Sequence, residues 1–218
     1  MTRTRILLVD DHKIVREGLR VLLERRDDIE VIAEAENGRI ALDLARKLRP
    51  DIVIMDIIMP DMNGIDATAQ LMEDVSGIKV IALSMHSDKR YVLKILRAGA
   101  QGYLRKDCAS EELAAAIHTV LSDQIYISPQ LPGFEMTGPI QKSIFVKSLT
   151  SSLLSPKERE VLQLIAEGKS TRQIAMHLGV SEKTVEKHRQ RIVAKLDIHS
   201  IAELTKYAIR EGMTSAEG

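Results

Sequence analysis

A single cysteine, Cys108, in 218 residues rules out an internal disulfide and any cysteine-built metal cluster, and such usage suits a reducing compartment. Cys108 itself reads as a small surface or packing residue. Net charge is missing too: 31 Lys and Arg face 31 Asp and Glu, and the sequence pI is about 7.0. That balance excludes a chain that is basic throughout, as a histone-like protein is, and gives no attraction to a membrane surface. Any basic surface must be local. Long apolar runs are absent as well, none approaching the length of a membrane span. The opening MTRTRILLVDD sets basic residues before an apolar run, but Asp10 and Asp11 stop that run well short of a secretory core. The expectation is a soluble, cytoplasmic protein with no membrane partner. What the chain does have is 44% hydrophobic residues, enough for real cores, and a length that suits one large domain or two smaller ones. Two are expected.

Residues 1–122 alternate short apolar, β-branched runs with longer amphipathic segments, the rhythm of strands alternating with helices. The runs are ILLV (6–9), VIAEA (31–35), IVIM (52–55), VIALS (80–84) and GYL (102–104). The central ones are continuous enough for strands buried on both faces. Between them, Val15, Leu19, Leu22 and Leu23, or Ile40, Ala41, Leu44 and Leu48, recur at helical spacing. Five parallel strands and five helices are predicted, joined by right-handed crossovers, with any site at the carboxyl ends of the strands. Residues 123–154 break the rhythm. Pro129, Pro132, Gly133, Gly138 and Pro139 crowd together before SLTSSLL, a linker composition, although the apolar QIYI (124–127) and SIFV (143–146) suggest segments that pack on a domain. From Ser155 to about residue 212 the pattern is helical throughout. Ser155-Pro156-Lys157-Glu158 supplies an N-cap, a proline at the first helical position and a capping-box glutamate. Ser170 with Gln173 repeats the spacing, Gly179 turns the chain, and Ser181 caps a further helix with Val185, Ile192 and Leu196 on its apolar side. Short helix, glycine turn, second helix is a helix-turn-helix signature.

In the stretch DIVIMDIIMPDMNG (51–64), Asp56 stands between two apolar runs. Burying a bare carboxylate costs several kcal/mol unless a cation or hydrogen bonds compensate it. The expected topology brings Asp10 and Asp11, at the end of the first strand, beside Asp56 at the end of the third. Three convergent carboxylates repel one another and raise their own pKa values unless a hard cation binds, and a water-rich oxygen site suits Mg²⁺. Ser84 and Lys106 end later strands. A hydroxyl and an ammonium beside a metal-bound carboxylate suit a phosphoryl group, whose transfer depends on positioning and on neutralising charged oxygens. Asp56 would be the nucleophile, forming an aspartyl phosphate.

A lone Asp at a strand end is more often a helix cap or turn former, and Asp61, Asp66 and Asp107 are read as surface or capping residues. The correlated set is different. Asp10-Asp11, Asp56 within MDIIMPDMNG, Ser84 and the lysine of GYLRK (106) together make residues 1–122 resemble a receiver domain of two-component response regulators. The resemblance implies a flavodoxin-like fold, with Asp11 and Asp56 as direct Mg²⁺ ligands, Asp10 acting more often through water, and the backbone carbonyl of Ile58 as a further ligand. It also implies that Ser84 moves toward the phosphoryl oxygens and that Tyr103 turns inward with it. Ile58 and His86 flank the phosphorylation site, where their size is expected to affect how water reaches the acyl phosphate.

Residues 155–210 hold eleven Lys and Arg against seven Asp and Glu, whereas the preceding 154 hold 20 against 22. The basic surplus coincides with the helix-turn-helix. On the helix after Ser181, the core positions leave Lys183, Lys187, Gln190 and Arg191 outward, with Arg189 and Lys195 on the flanks. A basic helix face is usually only solvated, but in this context it can enter the major groove. The segments LSPKEREVLQLIAEGKS, IAMHLGVSEKTVEKHRQRIVAKL and AELTKYAI resemble the LuxR-type DNA-binding domain. That likeness implies Glu186, Lys187 and Gln190 as base readers and Lys183, Thr184, Arg191 and Lys195 as phosphate contacts. Glu186 departs from the family, where a basic residue is common; it can accept from cytosine but cannot grip phosphate. Gln173 replaces a frequent acidic residue. Ile201, Leu204, Tyr207 and Ala208 resemble the family's dimerising helix, or else pack the core.

The two halves together resemble a response regulator of the NarL/FixJ type. What this implies is a receiver at 1–122, a linker at 123–154 and an all-α DNA-binding domain at 155–212. A histidine kinase would be the phosphoryl donor, double-stranded DNA the target, and a homodimer the active form. The chain would be no turnover enzyme, acting only in its own phosphorylation and slow dephosphorylation. A phosphatase working through an aspartyl intermediate would need a D-x-D motif on the first strand and a substrate cap, whereas here the acids are adjacent and no cap is apparent. A degenerate receiver on a constitutive DNA-binding protein would lack part of the acidic and lysine set, which is complete.

Overall fold

The computed structural model describes residues 3–85, 88–108, 110–131 and 153–215. The chain divides into two compact units. In the first, β1 (Thr4–Val9), β2 (Ile29–Ala35), β3 (Ile52–Asp56), β4 (Lys79–Ser84) and β5 (Gly102–Arg105) alternate with α1 (Lys13–Glu24), α2 (Gly38–Leu48), α3 (Gly64–Asp74), α4 (Lys89–Arg97) and α5 (Ser110–Leu121). A sixth strand, β6 (Tyr126–Ile127), follows, and the sheet order is β2-β1-β3-β4-β5-β6. Every pairing is parallel.

The continuous apolar runs form the middle of that sheet because helices cover both faces. Ile52, Val53, Ile54 and Met55 are all within 1% of complete burial. Ile6, Leu8, Ile54, Ile81 and Leu104 meet Leu113, Ile117 and Val120 of α5 in one core. Burying each such side chain contributes about 1.5–3 kcal/mol. Strand order reverses between β1 and β3, so the chain leaves β1 toward one edge and returns to build the other. The crevice at the carboxyl ends of these two strands is where such sheets place their sites.

The helix faces differ in detail from the periodicity. On α1, Leu23 is buried and Leu19 packs against the core, but Leu22 is 39% exposed. On α2 the buried stripe is Gly38, Ala41, Leu42 and Ala45. Ile40 lies outside it. Small residues allow α2 to approach the sheet closely, and that approach, not the size of the side chain, selects the inward face. The QIYI stretch joins the sheet: Tyr126 and Ile127 pair with Gly102 and Tyr103, so β5 is not an edge strand. SIFV lies outside the described residues.

The second unit is all α: α6 (Pro156–Ala166), α7 (Thr171–Leu178), α8 (Glu182–Leu196) and α9 (Ile201–Glu211). Ser155 with Glu158, and Ser170 with Gln173, form the two capping boxes that their spacing predicted. Gly179 closes α7 at φ 65°, in the left-handed region that glycine enters without steric cost. The core gathers Val161, Leu162, Leu164, Ile174, Val185 and Ile192 with Leu204 and Ala208, and Leu196 and Tyr207 pack against it. On α9, Leu204 and Ala208 are therefore core residues, while Ile201 is 57% exposed.

Candidate functional site

Asp10 follows the last residue of β1, and Asp56 ends β3 in the neighbouring register. Both are buried, at 2% and 5% exposure. Lys106, just beyond β5, reaches between them. Its Nζ lies 2.8 Å from Asp56 Oδ2, a hydrogen bond, and 2.7 Å from Asp10 Oδ2, an ion pair without the alignment of a hydrogen bond. The lysine backbone is held as well, its N–H donating to the Ser84 carbonyl at 2.9 Å. Asp56 Oδ1 accepts from the following amide of Ile57 at 2.7 Å. Asp11 is 31% exposed and lies at the mouth.

The acids and the lysine perturb one another. Burial pushes the Asp56 carboxyl up to about 6, with the Asp10 charge adding to the rise and Lys106 opposing it. Burial works against the Lys106 ammonium, but Asp56 and Asp10 outweigh it and hold its pKa above the ordinary lysine value. One ammonium therefore compensates the pair only in part. Asp10, Asp11, Asp56 and His12 each present a ligand atom, and these four atoms lie within 4.8 Å of one another. A set of three carboxylates with an incompletely neutralised buried member fits a hard divalent cation.

Ser84 ends β4 at 1% exposure, and Tyr103 on β5 is completely buried. Burial pushes the Tyr103 phenol up to about 12, against a hydrogen bond with Ser84. Tyr103 is thus turned inward and in contact with Ser84. Ile58 is half-buried two residues after Asp56. His86 lies outside the described residues. Asp66 belongs to the first turn of α3, its N–H capped by Asn63 at 2.9 Å, and Asp107 pairs locally with Arg105.

Gly64 begins α3 directly behind Asp56. A Cβ built on it would stand 1.9 Å from the Asp56 carbonyl oxygen, and its N–H donates to the Ile57 carbonyl at 2.8 Å. The glycine of MDIIMPDMNG is therefore required for close backbone approach. Two residues of the site escaped the sequence reading. Arg16 on α1 donates to the Asp10 carbonyl at 2.6 Å and pairs with Glu34 at 3.3 Å, bracing the end of β1. His12 places Nδ1 2.8 Å from Asp11 Oδ1 and 3.3 Å from Asp10 Oδ1. Its place directly after the acidic pair was the available signal. For Arg16 no local signal exists, because its partners come from β1 and β2.

In the second unit, Lys183, Glu186, Lys187, Gln190 and Arg191 are exposed along α8, and Thr184 is half-buried. Thr184 receives the Ser181 cap at its amide, 3.2 Å, and its hydroxyl lies 2.9 Å from that of Ser181. Glu186 accepts from the Thr171 hydroxyl on α7 at 2.8 Å. Lys195 bonds the buried carboxylate of Glu158 at 2.6 Å. Burial alone would raise the Glu158 pKa, but Lys195 and the capping groups of Ser155 hold it below the ordinary glutamate value. The Lys195 ammonium is thus engaged by α6, in contrast to the exposed Lys183 and Lys187.

A parallel α/β unit with an acid-lysine pocket at its switch point, together with a helix-turn-helix unit, defines the class of phosphoacceptor-controlled DNA-binding regulators. The response regulator receiver domain family matches residues 6–118, and the luxR family of bacterial regulatory proteins matches residues 152–208. The response regulator UvrY of Escherichia coli (strain K12) is 36% identical over 212 residues, covering 97% of this chain and 96% of its own. The transcriptional regulatory protein MctR of Rhizobium johnstonii is 35% identical over 216 residues, covering 99% and 98%. Among solved structures, a LuxR-family two-component response regulator from Aurantimonas sp. SI85-9A1 matches with a TM-score of 0.57 at 40% identity, covering 60% of this chain and 93% of that one. The complex of the response regulator RcsB with DNA matches with a TM-score of 0.55 at 25% identity, covering 96% and 99%. This chain belongs to the NarL/FixJ family of response regulators, a receiver domain joined to a LuxR-type helix-turn-helix, and is a DNA-binding transcriptional regulator under phosphorylation control. Among the described residues, no helix is long and apolar enough to cross a membrane.

Proposed function

We propose that Asp56 is the phosphoacceptor, that a histidine kinase is the donor, and that the phosphorylated protein binds paired half-sites in double-stranded DNA as a homodimer. The observation that carries this is the Asp10-Asp56-Lys106 cluster, which has two buried carboxylates against one ammonium. In the transfer, an Asp56 carboxylate oxygen attacks phosphorus, an O–P bond forms, and the N–P bond of the donor phosphohistidine breaks. The departing imidazole takes a proton from solvent. Lys106 stays beside the new acyl phosphate and offsets its charge, and the Ser84 hydroxyl donates to a phosphoryl oxygen.

Asp10, Asp11, Asp56 and the Ile58 carbonyl would hold Mg²⁺, which supplies positive charge to the phosphoryl oxygens when bound. The switch runs through Ser84 and Tyr103, whose contact joins the pocket to β5. On α8, Glu186, Lys187 and Gln190 read base edges, and Lys183, Thr184 and Arg191 hold phosphates. The Glu158 contact sets Lys195 apart from them as a brace of the domain. A receiver of 1–122 to which β6 adds Tyr126 and Ile127, a helix-turn-helix domain at 155–212 with the linker between, and a cytoplasmic location belong to the same reading.

The deciding experiment is the intact mass after exposure to a small-molecule phosphoryl donor. One phosphoryl group should be added to the parent in Mg²⁺ and none with chelator or in Asp56→Ala. Addition to Asp56→Ala at the parental level would refute Asp56 as acceptor.

A further inference from the structure

The two residues that open α7 have different partners. Ser170, the N-cap, is occupied within its own helix, where it forms the capping box with Gln173. Thr171, the first residue of α7, takes no part in that cap. Its hydroxyl instead crosses to α8 and donates to Glu186 Oε1 at 2.8 Å, fifteen residues along the chain. Arg189 lies against the same oxygen, with its Nε at 3.8 Å. Among the described residues Glu186 Oε2 has no hydrogen-bond partner, and the side chain is 51% exposed. Burial separates this contact from that of Lys195. Lys195 is bound to a carboxylate that is 3% exposed, whereas Thr171 fixes one oxygen of a carboxylate that stays open to solvent. Glu186 shares its exposed stretch of α8 with Lys183, Lys187 and Gln190, which recur at helical spacing.

We propose that Thr171 is a positioning residue for DNA recognition, fixing Glu186 so that Oε2 accepts from the amino group of a cytosine in each half-site. The inference rests on the reading of α8 as the base-reading helix. A free glutamate side chain loses rotamer freedom when it docks on a base, whereas one already tied by a hydrogen bond has lost that freedom beforehand. A carboxylate approaching DNA is also repelled by the phosphates, and the Arg189 guanidinium offsets that charge. The remaining oxygen is an acceptor with no donor beside it. In the major groove guanine and thymine present acceptors, which repel it. Adenine presents its amino group next to the N7 acceptor, so cytosine is the base whose amino group has no acceptor beside it.

The test uses the full-length protein, treated with the small-molecule phosphoryl donor, and a pool of random-sequence duplexes. Selection gives the preferred half-site, and titrations with each base pair in turn at each position give the discrimination there. Expected is a C·G position in each half-site preferred on the order of tenfold. Glu186→Ala should lose that preference, and Glu186→Gln should turn it toward adenine, because an amide both donates and accepts. Thr171→Val keeps the shape and removes the hydroxyl, so it should lower the preference at that position several-fold. Thr171→Ser should restore it. The preference is a ratio within one sample, so a partly unfolded variant weakens every duplex alike and leaves the ratio intact. An undiminished preference in Thr171→Val, or weakening equal for every base pair, overturns the positioning role. A C·G preference that survives Glu186→Ala, or none in the parent, overturns the assignment of Glu186 to cytosine. Failure of the parent to bind any duplex overturns the reading of α8 itself.

Discussion

Asp56 is held in its charged form against the preference of its surroundings, and that tension is measurable. With a folded pKa of about 6 against an ordinary 3.8, the folded protein keeps a proton between about pH 4 and pH 6 that the unfolded chain releases. Stability therefore falls as pH rises through this window, and above it the full penalty applies. One pKa unit is worth about 1.4 kcal/mol. Asp56→Asn should be the more stable protein by about 1–3 kcal/mol near pH 7 in chelator, less whatever Lys106 loses as a partner, and the gain should vanish near pH 4. Urea midpoints at the two pH values check this, and Mg²⁺ should narrow the gap by stabilising the parent alone. Gly64 supplies a second test. An added methyl must displace the Asp56 backbone, so Gly64→Ala should lose about 1–3 kcal/mol through overpacking. It should also slow phosphorylation on the order of a hundredfold, because the nucleophile is moved. Mass-detected phosphorylation rates and urea midpoints together separate the two effects.

On α8, two lysines twelve residues apart are expected to behave differently although both look basic in sequence. Lys183 is exposed, whereas Lys195 bonds Glu158, which is 3% exposed and closes the capping box of α6. Removing the lysine leaves a buried carboxylate with only its backbone and capping partners. Lys195 is 41% exposed, so solvent screening moderates the loss. Lys195→Ala should cost about 1–2 kcal/mol of domain stability and leave the salt dependence of DNA binding unchanged. Lys183→Ala should leave stability unchanged and lower the slope of log affinity against log salt by about one. Thermal melts and binding titrations across a salt series would distinguish them. A reduced slope in Lys195→Ala would return that residue to the phosphate contacts. The element-level lesson is that helix periodicity identifies an outward face but not which of its charges another element has claimed.

For the whole molecule, the output is a shift between populations. Phosphorylation must favour the DNA-competent state by about 3–5 kcal/mol to be decisive. A phosphorylated sample should therefore dimerise and bind operator DNA more tightly than the unmodified protein, with Asp56→Ala unresponsive to the donor. Sedimentation and binding titrations on the same samples test this, and equal affinity with a monomeric phosphorylated state would refute the coupling.

Much of this molecule was legible in the sequence because its signals are local or repeated. Continuous apolar runs specify strands covered on both faces. Capping boxes at Ser155 and Ser170 specify helix starts, and an acid pair, an Asp and a Lys at the ends of β1, β3 and β5 converge in a sheet wound this way. What tertiary structure decided depends on distances between residues far apart in the chain. The buried stripe of α2 follows Leu42 and Ala45 because the sheet determines how closely that helix approaches. QIYI became a strand only because β5 offered an open edge with donors and acceptors to fill. Lys195 was claimed by a carboxylate 37 residues away, and Asp56 owes its raised pKa to burial and to charges from β1 and the end of β5. Pattern along a chain states which side chains can face inward together; electrostatic coupling and desolvation depend on separation in space, which only the packed fold sets.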